Sequence, residues 1–144
     1  YLMTSLLQTV MDRGTGGSAR WKYKFNRPAA GKTGTTQGWS DAWFVGFTPQ
    51  IAAGCWFGVD DFRVPLGPGQ DGSIAALPAW ARFMKGAHDT LDFPIQKFEK
   101  PSGIHDIEIC SVTKKAPVPA CPVEKEIFKV GTEPIQKCKV HRTQ

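Results

Sequence analysis

The stretch Ala29-Ala30-Gly31-Lys32-Thr33-Gly34-Thr35-Thr36, followed closely by Trp39-Ser40-Asp41-Ala42-Trp43-Phe44-Val45-Gly46-Phe47, decides how this chain is read. Its first part reads as a strand edged by Gly31 and Gly34. Its second part reads as a strand on which Trp43, Val45 and Phe47 share one face and Ala42, Phe44 and Gly46 the other. Both faces are largely apolar, which predicts cover on both sides. Thr48-Pro49-Gln50 is a short turn and Ile51 to Val59 a third strand. So short a connection predicts an antiparallel hairpin of strands two and three.

Working outward, Leu2, Met3, Leu6, Leu7, Val10 and Met11 recur at helical spacing, so residues 1–12 read as an amphipathic helix stopped by Gly14, Gly16 and Gly17. Residues 60–72 are rich in Gly, Pro and Asp and read as a surface loop. Ser73 to Ala87 reads as a helix with Ile74, Leu77, Ala81 and Met84 along one side and Trp80 and Phe83 beside them. Pro78 fits its first turn or a kink. From Leu91 on, prolines recur at 94, 101, 117, 119, 122 and 134, the mark of an appended segment holding short strands near 104–112 and 126–130. The expected organisation is a main unit over 1–90 and an extension over 91–144, in the α/β (α+β) class.

Composition narrows the function classes. The 144 residues are 41% hydrophobic and 22% charged with five Trp, enough apolar content for a packed core and against disorder. No apolar run approaches the roughly 18 residues of a membrane span. The net charge of +5 is spread without a block of like charges, which argues against nucleic-acid binding. The opening residues lack the pattern of a signal peptide and start within a helix without an initiator Met, as expected of a piece of a longer protein.

Gly31-Lys32-Thr33-Gly34-Thr35-Thr36 carries the chemistry, and two readings compete. A phosphate loop needs Gly five places before Gly31, where Asn26 stands, and a helix directly after the Lys-Thr pair, where a strand follows. That reading fails. The second is the Lys-Thr-Gly signature of serine acyl-transferases that react with penicillin, on a strand bordering the active cleft. Lys32 then places an ammonium near the nucleophile and the substrate carboxylate, and Thr33 and Thr35 offer hydroxyls to that carboxylate. Gly34 lets an extended peptide lie along the strand, and the Thr35 N–H is one donor of the oxyanion hole. Gln37 and Trp39 fall just after the motif, at the mouth of the cleft.

The flanks strengthen this reading. The motif, then Ser40 to Pro49, then Gly54-Cys55-Trp56-Phe57-Gly58-Val59-Asp60-Asp61, then Ala75-Ala76-Leu77-Pro78-Ala79-Trp80-Ala81-Arg82-Phe83-Met84, with Leu2 to Gln8 before them, resemble the class A high-molecular-weight penicillin-binding proteins in one consistent order. These are bifunctional glycosyltransferase/transpeptidases of bacterial cell-wall synthesis. Val130 to Pro134 and Cys138 to His141 resemble the C-terminal extension of such proteins. The resemblance implies a partial penicillin-recognising serine transferase fold, an antiparallel sheet with flanking helices. It also implies D,D-transpeptidation, β-lactam binding, peptidoglycan stem peptides as partners, no cofactor, and a periplasmic location with the parent anchored in the cytoplasmic membrane.

The family also requires Ser-x-x-Lys and Ser-x-Asn upstream of Lys-Thr-Gly. Asn26 is the one Asn and follows Lys24, so Ser-x-Asn is missing. Ser111-Val112-Thr113-Lys114 matches the first string but lies in the extension, against the family order, and is rejected as the nucleophile. With no activated serine, this chain by itself is expected to be inactive, with the reacting groups supplied by the rest of the parent or a complementary chain. A rival reading from another class is a non-catalytic module whose cysteine-stapled tail docks a cell-wall partner or regulator.

Other residues are read conservatively. Trp43, Trp56 and Trp80 are expected in the core, and His88 and His105 at the surface. Asp60 and Asp61 open the loop. Cys55, in an apolar run, reads as a buried thiol. Cys121 and Cys138 bracket a loop whose closure by a disulfide contributes about 3 kcal/mol. Together with Cys110 and His141 they also make four candidate zinc ligands. The spacing lacks a second close pair, which favours the disulfide over a metal.

Overall fold

The alternation read across residues 41–47 is kept in the computed structural model, which describes residues 1–141. Ala42 and Phe44 are fully buried, while Trp43 and Val45 on the opposite side stay 45% and 52% exposed. Helix α1 (Leu2–Arg13) and the short α2 (Ser18–Trp21) precede strands β1 (Ala30–Thr35), β2 (Asp41–Phe47) and β3 (Ala52–Gly58). One π-helical turn, Gly72–Ala76, leads into α3 (Leu77–Thr90), and β4 (Ile104–Cys110) and β5 (Val123–Lys129) follow. The elements divide into two compact units, one over Met3–Phe98 and one from Glu99 on. Among the described residues no helix is long and apolar enough to cross a membrane.

The first unit is a three-stranded antiparallel sheet in the order β1-β2-β3 with α3 across one face. Leu77, Trp80, Ala81, Met84 and His88 form the buried stripe of α3 at three- and four-residue spacing. Trp80 meets Phe25 and Phe44 edge-on at 5.4 and 4.9 Å between ring centroids, and its indole N–H donates to the Ala53 carbonyl at 3.0 Å. Such aromatic contacts add about 1 kcal/mol each beyond the area they bury. The indole needs a flat seat: a Cβ on Gly46 would lie 2.6 Å from Trp80 Cζ2.

Several expectations change. Among the described residues only the α3 side of the sheet is covered, so Trp43 and Trp56 (44% exposed) are surface aromatics, their rings tilted against each other with centroids 6.2 Å apart, not core residues. Trp80 alone of the three is buried. Ile74 is exposed because the π-helical turn puts it out of phase with the α3 stripe, and Phe83 points outward. The segment 94–98 stays with the first unit: Phe98 packs on Phe47 with ring centroids 5.6 Å apart, and Gln50 Nε2 donates to the Pro94 carbonyl at 3.0 Å.

His88 is the largest departure, fully buried rather than at the surface. Its Nδ1 lies 2.8 Å from the Met84 carbonyl and its Nε2 3.0 Å from Thr48 Oγ1. A carbonyl only accepts, so Nδ1 carries a proton. The ring therefore bridges α3 to the turn after β2 with both nitrogens satisfied.

In the second unit β4 and β5 pair antiparallel with Cys110 opposite Val123 and Ile107 opposite Glu126. Strand β4 ends at Cys110 because the chain turns there: the Lys114 N–H donates to the Cys110 carbonyl at 2.8 Å, with Lys114 at φ 56°. Replacing His88 with Ala removes both bridging bonds and leaves a void, so H88A is expected to lose about 3 kcal/mol of stability, read as a lower urea midpoint at unchanged slope.

Candidate active-site strand

Among the described residues β1 pairs with β2 alone, which makes it an edge of the sheet. Lys32 lies opposite Val45 and Gly34 opposite Trp43, so these side chains share the exposed face of the sheet. Thr33 and Thr35 lie opposite Phe44 and Ala42 on the α3 side. The Thr36 N–H donates to the Asp41 carbonyl at 3.1 Å, which makes that pair hydrogen-bonded. By the alternation of an antiparallel ladder, the main-chain groups of Gly31, Thr33 and Thr35 then point away from β2, along the free edge.

The exposed Lys32 folds back on this edge, its Nζ donating to the Thr33 carbonyl at 2.9 Å and lying 3.4 Å from Thr33 Oγ1. Thr33 Oγ1 also sits 3.3 Å from Thr15 Oγ1, so the loop after α1 reaches the motif. Thr35 Oγ1 accepts from the Gly72 N–H at 3.1 Å, which leaves its own O–H free to donate elsewhere. The site thus offers a cation, hydroxyls and an N–H along one strand edge.

The turn joining β1 to β2 is closed by its own side chains. Thr36 Oγ1 lies 2.8 Å from Ser40 Oγ and accepts from the Asp41 N–H at 2.9 Å. Gly38 and Trp39 take φ of 83° and 57°, and Trp39 is 40% exposed beside Gln37, which is exposed too. Asp41, on the strand face with Trp43, accepts from Trp56 Nε1 at 2.8 Å.

Gly72 and Asp71 fix the other side and were not singled out in the sequence. A Cβ on Gly72 would lie 2.1 Å from the Trp43 carbonyl and 2.9 Å from that of Gly34, so the helix start presses on the backbone of both strands. Asp71 caps it, accepting from the N–H groups of Ser73 and Ile74 at 2.7 and 3.1 Å. Hydrogen bonding, from Ser73 first, holds its carboxyl below the usual range. The signal was present in the order Asp-Gly-Ser, an acceptor just ahead of an apolar-periodic run.

The cysteines lie elsewhere. Cys121 and Cys138, expected to be bridged, are both free thiols, as are Cys55 and Cys110. Cys110, Cys121 and Cys138 gather with His141, every ligand atom within 4.8 Å of the others. A pairing read from loop length alone could not see the third thiol and the imidazole arrive at the same point.

Comparison with known proteins agrees with the fold. The chain is 35% identical over 147 residues to penicillin-binding protein 1A of Clostridium tetani, covering 98% of this chain. It is 38% identical over 130 residues to that of Pseudomonas aeruginosa, covering 90%. The solved structure of penicillin-binding protein 1A from Haemophilus influenzae superposes with a TM-score of 0.82 at 31% identity over 94% of the chain. The chain belongs to the penicillin-binding protein 1A family. The family model described as penicillin-binding protein 1A, C-terminal domain, matches residues 100–143. The chain spans 18% and 15% of those two curated relatives and 20% of the solved chain, a small part of each.

The close approach of Gly72 to the motif strand has a measurable consequence. Gly72→Ala is expected to lose about 3 kcal/mol as the helix start is pushed off the sheet. Gly86→Ala, exposed on α3 with nothing within 4 Å of the new Cβ, is expected to gain about 0.5 kcal/mol. Thermal melts of the two variants should therefore move in opposite directions.

Proposed function

We propose that this chain is the Lys-Thr-Gly portion of a peptidoglycan D,D-transpeptidase. The observation that carries the reading is the open edge of β1, where exposed Lys32 and the outward main-chain groups of Thr33 and Thr35 lie side by side. Its likeness to penicillin-binding protein 1A of other bacteria supports the same chemistry.

A stem peptide ending in D-Ala-D-Ala lies along the edge as an added strand, its passage eased by the absent side chain of Gly34. Its terminal carboxylate takes hydroxyl hydrogens from Thr33 and Thr35, and the Lys32 ammonium leaves the Thr33 carbonyl to face it. A serine from another part of the parent attacks the carbonyl of the penultimate D-Ala. The developing oxyanion takes the Thr35 N–H, and the last D-Ala departs as an amine that carries off the serine proton, leaving the acyl-enzyme ester. An amine of a second stem peptide then attacks the ester, forms the cross-link and passes its own proton to the released serine oxygen. Gln37 and Trp39 flank the entrance. β-Lactams occupy the same edge. The setting is periplasmic, with the parent anchored in the cytoplasmic membrane.

Fluorescent penicillin tests this. The full-length parent should be labelled, and Lys32→Ala within it should slow acylation by about a hundredfold or more while leaving the melting temperature within a degree or two. The 144-residue chain alone should remain unlabelled. Stable labelling of the chain alone, or an unchanged acylation rate in the Lys32 variant, refutes the assignment.

A further inference from the structure

The second unit has almost no hydrophobic core. From Glu99 on, the buried residues among those described are Ile109, Cys110 and Cys138, so two of three are thiols. A unit this small is not held by apolar burial and needs a covalent or metal cross-link. The structure places the means at one point. His141 Nδ1 lies 3.5, 3.4 and 3.3 Å from the Sγ atoms of Cys110, Cys121 and Cys138.

We propose that Cys110, Cys121, Cys138 and His141 bind one structural zinc ion. In a tetrahedron with Zn–S near 2.3 Å and Zn–N near 2.05 Å, each S···N edge is about 3.6 Å and each S···S edge about 3.8 Å. The three S···N separations match that edge, and every remaining pair lies within the 4.8 Å that bounds the whole set. A disulfide requires two sulfurs in contact and makes no use of an imidazole near-equidistant from three thiols. It would also strand the third thiol in the interior.

The backbone is arranged for thiolates. The Thr113 N–H donates to Cys110 Sγ at 3.5 Å and the Val118 N–H to Cys121 Sγ at 3.3 Å. Such outer hydrogen bonds orient ligands and offset their charge. Main-chain bonds bring the ligand-bearing segments together independently of the metal: the Cys138 N–H reaches the Ala116 carbonyl at 2.8 Å and the Ser111 N–H the Pro122 carbonyl at 3.0 Å. Three thiolates, one imidazole and Zn²⁺ sum to one negative charge. Lys137 and Lys139 flank Cys138 in sequence. Three soft sulfurs with one nitrogen suit zinc. Four protein ligands close its coordination, so the role is structural and leaves no position for a substrate. On binding, three thiol protons pass to solvent and no electrons move.

The proposal is independent of the transpeptidase reading, and its test does not use activity. The full chain is purified under reductant, dialysed against metal-free buffer and analysed for metal. About one zinc per chain is expected, released when the thiols are titrated with a mercurial. Cys138→Ser and His141→Ala should each lower zinc content about tenfold, and Cys55→Ser should leave it unchanged. Should a ligand variant fail to fold, cobalt(II) exchanged into the unaltered chain decides: thiolate charge-transfer absorption with the intense visible bands of a tetrahedral site supports the assignment. Weak octahedral bands, a metal-free protein with three titratable thiols in this unit, or an intact mass lower by two hydrogens with a Cys121–Cys138 bridge overturns it.

Discussion

The seat of Trp80 on Gly46 is the contact on which the first unit depends. A helix can approach a sheet closely only where the facing strand lacks a side chain, and here the indole fills the space that a Cβ at position 46 would occupy. The hydrogen bond from its N–H to the Ala53 carbonyl then locks the helix against β3 as well as β2. With α3 held at this height, its N-terminal extension has one place to go. Gly72 meets the Trp43 and Gly34 carbonyls and bonds to the Thr35 hydroxyl. A packing event in the core is thereby passed to the motif strand through one rigid element, and His88 fixes the far end of the helix to the turn after β2.

An open strand edge is ordinarily a hazard, since it invites pairing with other chains. β1 is managed by chemistry rather than by burial. Lys32 covers the Thr33 carbonyl with its own ammonium, and a charged, hydrated side chain on an edge discourages indiscriminate pairing. In the proposed transpeptidase reading, an extended peptide that brings its own carboxylate would displace the lysine from the carbonyl, so that protection and recognition become two states of one side chain.

Much of this was legible from residue order. Alternation across Asp41–Phe47 located β2 and its buried face, the short Thr48-Pro49-Gln50 turn forced the antiparallel pairing, and Gly-Lys-Thr-Gly marked the edge strand. Contacts between residues distant in sequence were not legible. Apolar content alone placed Trp43 and Trp56 in the core, yet only one sheet face meets a helix, and nothing in a strand's own pattern says which faces find cover. His88 looked solitary because its partner Thr48 lies forty positions away on another element. Ile74 was misplaced by a local irregularity: the π-helical turn is invisible to a count at fixed helical spacing.

The cysteines show the same limit most sharply, and also why the distant contact matters physically. Spacing counts along the chain, so Cys121 and Cys138 read as the favoured pair, with Cys110, eleven residues earlier, either free or the alternative partner. The fold counts in space, and the Ala116–Lys137 bridge brings Cys138 beside the turn that carries Cys110. Once three thiols and an imidazole share one point, the alternatives differ in what they leave over. A disulfide ties two chain positions and makes no use of the third thiol or of the imidazole gathered beside it. One divalent ion ties four positions and closes both loops between the cysteines. In a unit with so little apolar burial, the cross-link that joins the most chain positions is the one its stability favours.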